Sequence, residues 1–455
     1  ATHQELLYLN GIVLFYLVLD DGGNCTCNFL VLDVGVVFCQ HSFILVFFHN
    51  DASYFSNKLL FDFEQAKLEK YNNIRNSCSY ITVISRIYQK IDSVSYLASD
   101  YFIPNEYDKL MSVIGAEGTN AYTSTDMTVY VEDIPSNQIE TWAKIQSDRF
   151  CNAVIRGFHT ELETVYEEKN MSLTNDFRKA LETLDGMLFP DHPYGTQTVL
   201  GTQEHLKNPS ITNIKNYHKT YYVPNNMAIC LSGDFDPDEM VSIIEKYFGQ
   251  MEPNQNLPEL NLETKSVIET PQSKDVYGID SELVMIGWKY PGAGTDEALV
   301  ASVVSYILYN GSAGLIDLNL NQQQKVLGAQ SEAYTRPDAG EFILLAEGKE
   351  GQTLEEVRDL LLAEVAKLRN GEFDETVIEG TINNLKLSLM SQLENNSDRA
   401  DMYVQSFISG TDWADEVAWI DNLSKVTKQD VIDWANKYLG ENSYAVVYKR
   451  MGEDK

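Results

Sequence analysis

Of the 455 residues, 67 are Asp or Glu and 34 are Lys or Arg, a formal charge of −33 at pH 7. Such an excess repels phosphate backbones and anionic membrane faces, which excludes nucleic acid as a partner; a solvated acidic surface and an acidic substrate chamber both fit it. With 44% hydrophobic residues the chain has ample material for buried cores, and its length suggests about two to four domains.

Residues 1–80 differ from everything after them. Apolar runs at 6–19 and 29–48 show little helical or strand periodicity. The second run has the length of a membrane span but contains Asp33, Gln40, His41 and Ser42, with no Lys or Arg close by, so a membrane partner is not expected. Two readings remain: buried strands of an ordinary domain, or a stretch translated out of frame or through non-coding sequence. The six cysteines, Cys25, Cys27, Cys39, Cys78, Cys151 and Cys230, lack the spacing of a disulfide framework or a zinc ribbon and assign no compartment.

From about Ile87 the pattern becomes regular. Residues 118–124 (Gly-Thr-Asn-Ala-Tyr-Thr-Ser) lead from a glycine turn into the alternating strand 125–131. Such a strand is either a core strand or an edge to which an extended peptide could add. Glu161 and Glu168, seven apart in a helical stretch, fall on one face. One could ligate a metal while the other orients its neighbours, or both could belong to a solvated acidic face. His192 lies in the turn Asp-His-Pro-Tyr-Gly at 191–195 and His205 at a helix start, each expected as a surface or hydrogen-bonding residue rather than a ligand.

Further on, Asp236-Pro237-Asp238-Glu239 is a helix start, with a capping side chain, a proline in the first turn and acids at the positive end. Thr353 to Glu356 is a capping-box signature before an apolar-periodic segment at 357–368. Strands are expected at 227–231 and 443–448. They close similar segments, 210–229 and 425–446, each a capped helix, an Asn-containing turn and an apolar strand. This duplication predicts an α+β fold of two tandem, similar two-layer domains, each a sheet packed with helices. The boundaries expected are 1–80 atypical, 81–255 a first domain, 256–270 a linker rich in Pro and Asn nearby, and 271–455 a second domain. None of the seven histidines lies in His-x-x-Glu-His or His-Glu-x-x-His, and no Gly-x-Ser-x-Gly, phosphate-loop or dinucleotide-loop spacing is present.

Taken together, residues 120–130, the Glu161 to Glu168 helix, Pro-Asp-His-Pro-Tyr-Gly at 190–195, and Tyr-Tyr-Val-Pro-Asn-Asn at 221–226 leading into Ser-Gly-Asp at 232–234 resemble the pitrilysin or insulinase family, peptidase family M16. The likeness covers roughly residues 85 to 455, with 81–255 resembling the peptidase-type domain, incomplete, and 271–455 the inactive-type domain. In that family an inverted His-x-x-Glu-His supplies two zinc ligands and a general base, and a downstream Glu completes the shell. By matching position, Glu168 resembles the third zinc ligand, Glu161 the supporting carboxylate, and Asn120, Ala121 and Tyr122 the edge strand to which peptide substrates add.

The resemblance implies a zinc metalloendopeptidase homologue acting on extended peptides, partnered by a second such half on a longer chain or another subunit. Because the motif is absent as written, one family carboxylate cannot hold zinc in a tetrahedral cage. This polypeptide is expected to bind zinc poorly and to leave peptides uncut. The alternative is a non-catalytic homologue that serves as a peptide-binding or scaffolding subunit.

Overall fold

The computed structural model describes short strands at Leu6–Leu7, Ile12–Leu19, Cys25–Asn28, Val36–Val37 and Ser42–Phe48, parts of 86–97, and residues 103–453 except 156, 208, 210, 259–261 and 263. Ile12–Leu19 pairs antiparallel with both Cys25–Asn28 and Ser42–Phe48. The choice between the readings of 1–80 turns on side chains that lie outside the described residues. Among the described residues no helix is long and apolar enough to cross a membrane.

The chain divides into two compact units, one including Ala153–Thr164 and Lys207–Lys219 with the part up to Lys109, the other Leu110–Asn152, Val165–Leu206 and Thr220–Lys455. In the first, Ile87, Val94 and Ile211 form a small buried cluster against which Phe158 packs.

In chain order, the elements that matter begin with strands β1 (Glu117–Thr123) and β2 (Thr128–Asp133) and helices α1 (Ile139–Cys151), α2 (Phe158–Ser172), α3 (Asp176–Leu188), α4 (Pro193–Thr196), α5 (Ile211–Tyr221) and α6 (Pro237–Phe248). Strands β3 (Gln272–Gly278) and β4 (Leu283–Pro291), helix α7 (Asp296–Leu308), strands β5 (Gly328–Thr335) and β6 (Ala339–Glu347), helices α8 (Leu354–Arg369), α9 (Thr376–Gln392), α10 (Asn396–Ser409) and α11 (Lys428–Tyr438), and strand β7 (Ala445–Met451) complete them.

The second unit is built on a five-stranded sheet in the order β5-β6-β4-β7-β3. All its pairings are antiparallel except β7 with β3. Since side chains alternate along a strand, β4 sends Val284, Ile286, Trp288 and Tyr290 to one face. There they meet Val304, Ile307, Leu361, Val365 and Trp434 from α7, α8 and α11. The other residues of β4 and β7, Leu283, Met285, Ala445 and Val447, turn to the opposite face, against Ala180, Leu184 and Leu188 of α3. With both faces covered, the central strands read as nearly unbroken apolar runs. Gly287 sits where α3 crosses: a Cβ there would lie 2.9 Å from Leu188 Cδ1 and 3.0 Å from Leu184 Cδ2, so the glycine sets how closely helix and sheet approach.

The capping signals act as the sequence suggests. The Asp236 carboxylate accepts the N–H groups of Asp238 and Glu239 at 2.9 Å each, and Thr353 with Glu356 forms a reciprocal capping box. The segment 118–131 is a hairpin rather than a turn and one strand: Asn120, Ala121, Tyr122 and Thr123 pair with Val131, Tyr130, Val129 and Thr128. The pairing register shifts between Glu117 and Asn120, where Gly118 adopts φ +61°, the left-handed conformation a bulge glycine supplies without penalty. The strand expected at 227–231 is not formed. Met227 is extended, with φ −132° and ψ 150°, but among the described residues no strand is laid beside it, and without a ladder partner an extended segment is not a sheet strand. The described residues of 251–270 contain neither helix nor strand.

Candidate functional site

The β1–β2 hairpin forms a two-stranded sheet of its own. The Ala121 N–H donates to the Asn120 side-chain oxygen at 2.8 Å instead of to β2. Among the described residues, the far edge of β1 has no neighbouring strand. Three side-chain contacts fix the hairpin. The Tyr122 hydroxyl donates to Asp401 of α10 at 3.0 Å. The Tyr194 hydroxyl of α4 donates to Asp126 in the turn at 3.1 Å. Tyr130 and Tyr222 hydroxyls meet at 3.3 Å. Burial, followed by the Asp401 carboxylate, pushes the Tyr122 phenol up to about 12, so it remains a donor throughout the physiological range. Arg399 of α10 donates to Ser232 at 2.9 Å, which holds the Ser-Gly-Asp segment on the same helix.

Glu161 and Glu168 both lie on α2 and are exposed. The seven-residue spacing therefore does fall on a helix. Among the described residues, however, no group of three or more His, Cys, Asp or Glu is disposed to hold a metal ion, and two carboxylates from a single helix do not make a tetrahedral zinc shell. The described donor set does not fit zinc, and no hydrolytic step is derived through it.

His192 is 1% exposed. Its Nδ1 accepts the Tyr194 N–H at 3.1 Å and its Nε2 lies 3.4 Å from Asp338 Oδ2. It is a hydrogen-bonding turn residue at the start of α4, as its Asp-His-Pro-Tyr setting suggests. His205 caps its own turn, its Nδ1 accepting the Thr202 N–H at 3.3 Å.

The sequence did not point to a second polar cluster, behind α4. Arg336 is 5% exposed and Glu341 2%. An Arg336 Nη2 donates to Asp185 of α3 at 3.3 Å and stands 3.4 Å from Glu341 Oε2. The guanidinium lies 4.0 Å from the Tyr194 ring centroid and 4.9 Å from that of Phe189. The one available signal was Glu341 itself, an acid inside the apolar run of β6 on its α3-facing side.

Helices packed on a largely antiparallel sheet make this an α+β chain. Residues 210–385 match the family described as the Peptidase M16 inactive domain. Over 381 residues the chain is 23% identical to the zinc protease PqqE of Helicobacter pylori, covering 80% of this chain and 83% of that protein. It is 22% identical over 348 residues to the mitochondrial-processing peptidase subunit beta of Saccharomyces cerevisiae, covering 72% and 74%. In fold it is similar to the crystal structure of a protease from Helicobacter pylori, with a TM-score of 0.70 at 21% identity over 76% of this chain and 84% of the other. The chain is a homologue of the M16 zinc proteases.

Proposed function

We propose that the chain handles extended peptides in the manner of an M16 zinc metalloendopeptidase but, as this sequence stands, binds them without cutting. In this reading 81–255 is the peptidase-type domain, 256–270 the linker and 271–455 the inactive-type domain. Asn120, Ala121 and Tyr122 take the peptide as an added strand, and Glu168, supported by Glu161, is the remaining member of a zinc shell whose two histidines and general base are missing. The observation that carries it is the Ala121 N–H, which is turned away from β2 and satisfied only by its neighbour's side chain. An incoming peptide carbonyl can replace that oxygen, giving main-chain affinity with little sequence choice.

A second reading, a non-catalytic subunit of a peptidase complex, is favoured by the relative named as a subunit. On either reading a second M16 half is the partner, and zinc is the cofactor of the intact family site.

One titration tests the proposal. A labelled, unstructured peptide is added to the full chain with and without chelator, and products are read by mass spectrometry. Saturable binding indifferent to chelator, with no new products, is expected. Ala121→Pro removes the outward N–H without touching the pairing with β2 and is expected to weaken binding at least about tenfold, equivalent to about 1.4 kcal/mol. Stoichiometric zinc with chelator-sensitive cleavage would overturn the non-catalytic part, and a chain that captures no peptide would overturn the rest.

A further inference from the structure

The second unit contains a cavity of about 490 Å³, within the roughly 300–1,000 Å³ typical of small-molecule sites. It runs along one side of α3, against the sheet. Leu181 and Phe177 of α3, Met285 of β4, and Ile343 and Leu345 of β6 supply its apolar wall. Thr123, Ser124 and Thr125 of the hairpin turn and the loop 197–200 also line it. At its polar end are Asp185, Arg336 and Glu341.

Two atoms at that end lack a hydrogen bond, Glu341 Oε2 having only its 3.4 Å ion pair with Arg336 Nη2. Among the described residues neither Arg336 Nε nor Glu341 Oε2 makes a hydrogen bond, although their residues are only 5% and 2% exposed. A buried polar atom left in this state costs about 1–3 kcal/mol. Being one donor and one acceptor, they call for a ligand that brings one of each. Charge narrows the choice. The lining carries Glu182, Asp185, Glu332 and Glu341 against Arg178 and Arg336, which leaves two negative charges in excess, or one while Glu341 keeps a proton. The ligand's donor group is therefore the cationic one.

We propose that this cavity binds a small organic monocation, a primary ammonium with a hydrogen-bond acceptor beside it on an aliphatic or aromatic body. The ammonium donates to Glu341 Oε2, the adjacent acceptor takes the Arg336 Nε–H, and the body packs on Leu181, Ile343 and Leu345. An α-amino amide has this chemistry, either as a free molecule or as the first residue of a peptide. It shares only Thr123, the last residue of β1, with the strand proposed to take peptide.

Binding is coupled to a proton. Burial first, and then the Asp185 carboxylate, hold the Glu341 carboxyl well above its usual range, while Arg336 pulls it down and Glu332 pushes it up. Burial likewise raises Asp185, against the lowering by its hydrogen bond with Glu341 and then by Arg336. The Tyr334 phenol, raised by burial, lines the same cavity, and the Tyr290 phenol, also raised by burial, acts on Glu341 from the other side of the sheet. An ammonium seated at Glu341 favours its ionised form, so ligand uptake releases a proton and strengthens as pH rises, until the ligand's own amine titrates.

Calorimetric titration of the full chain with leucinamide, in buffers of different ionisation enthalpy, tests this. Saturable binding with net proton release is expected. N-acetyl-leucinamide, which lacks the charge, is expected to bind at least about tenfold more weakly, and Glu341→Gln, which mimics the protonated acid, to weaken leucinamide by a similar factor and abolish the proton release. Glu332→Gln, on the exposed part of the wall, is expected to cause a smaller loss and gives a second test should Glu341→Gln fail to fold. A leucine-headed pentapeptide and its N-acetylated form in parallel separate the sources: affinity above that of leucinamide that is lost on acetylation identifies a peptide end, whereas a pentapeptide indifferent to acetylation binds at β1 and leaves the cavity to a free amine. No heat with either probe, equal binding of N-acetyl-leucinamide, or full affinity and proton release in the variants would overturn the assignment.

Discussion

Lys449→Met is expected to lower the unfolding free energy by about 3–5 kcal/mol, the cost of leaving a buried charge without its partner. Lys449 is fully buried and Asp176 is 2% exposed. The ammonium stands 3.2 Å from Asp176 Oδ2 and also donates to the carbonyls of Asp280 and Ser281. Asp176, the first residue of α3, accepts from the Asp280 N–H at 2.9 Å and from Lys179 at 3.1 Å. This knot ties the start of α3 to the ends of β3 and β7. Gly278 leaves room for it, since a Cβ there would fall 2.0 Å from the carboxylate.

Burial pushes the Asp176 carboxyl up, but the Asp280 N–H and the two lysines outweigh it and bring the group down to about 2 from an ordinary 3.8. A carboxyl whose folded pKa is depressed contributes stability that is complete above the unfolded value and disappears as pH falls through the folded one. Acid should therefore remove this contribution between about pH 4 and pH 2, given the folded pKa of about 2. Urea unfolding followed by circular dichroism across that range is the check. Asp176→Asn combined with Lys449→Met should cost clearly less than the two single losses added together; additive losses would show that the two groups do not act as a pair.

Arg336→Met is expected to cost a similar amount at neutral pH, about 3–5 kcal/mol, because it leaves Asp185 and Glu341 facing each other in a buried site with no cation. Some further loss comes from the guanidinium's place over the Tyr194 ring, at 4.0 Å, a contact worth about 0.5–2 kcal/mol. The two carboxyls contribute with the opposite pH dependence to Asp176, although in both cases acid neutralises the partners of the deleted cation. Both carboxyls are raised in the folded state, so their contribution is present at low pH and is lost as pH rises through the folded values. The deficit of the variant relative to the parent should shrink on acidification. A deficit that is flat with pH would mean that the arginine acts through packing alone.

Local signals were the most legible. Asp236, Thr353 and the hairpin around Asn120 could be read because a cap or a turn is decided by side chains within about three residues of one another. Glu161 and Glu168 could be placed on a helix for the same reason. Partners distant in sequence could not be read. Nothing near 227–231 announces that its ladder partner is missing, and nothing in α3 says that its apolar face belongs on strands about a hundred residues later. Arg336, Asp185 and Glu341 come from three segments, and only Glu341 broke the pattern of its own strand. The missing zinc motif, by contrast, was visible at once, because it is a matter of residue identity and not of folding.

The pairing of α3 with β4 and β7 imposes an order on biosynthesis. Leu184 and Leu188 leave the ribosome long before Ala445 and Val447, the last strand residues they cover. At about 5–20 residues per second, the roughly 257 residues from Leu188 to Ala445 take about 13 to 50 s to appear. Until then the helix stripe can be covered only in part, by Leu283 and Met285 of β4. A fragment beginning at residue 271 would have the converse defect, with Met285 and Val447 bare, and is expected to bind a solvatochromic dye that the whole chain ignores. Nascent copies of this protein are therefore expected to offer a holdase binding site that closes only when β7 emerges.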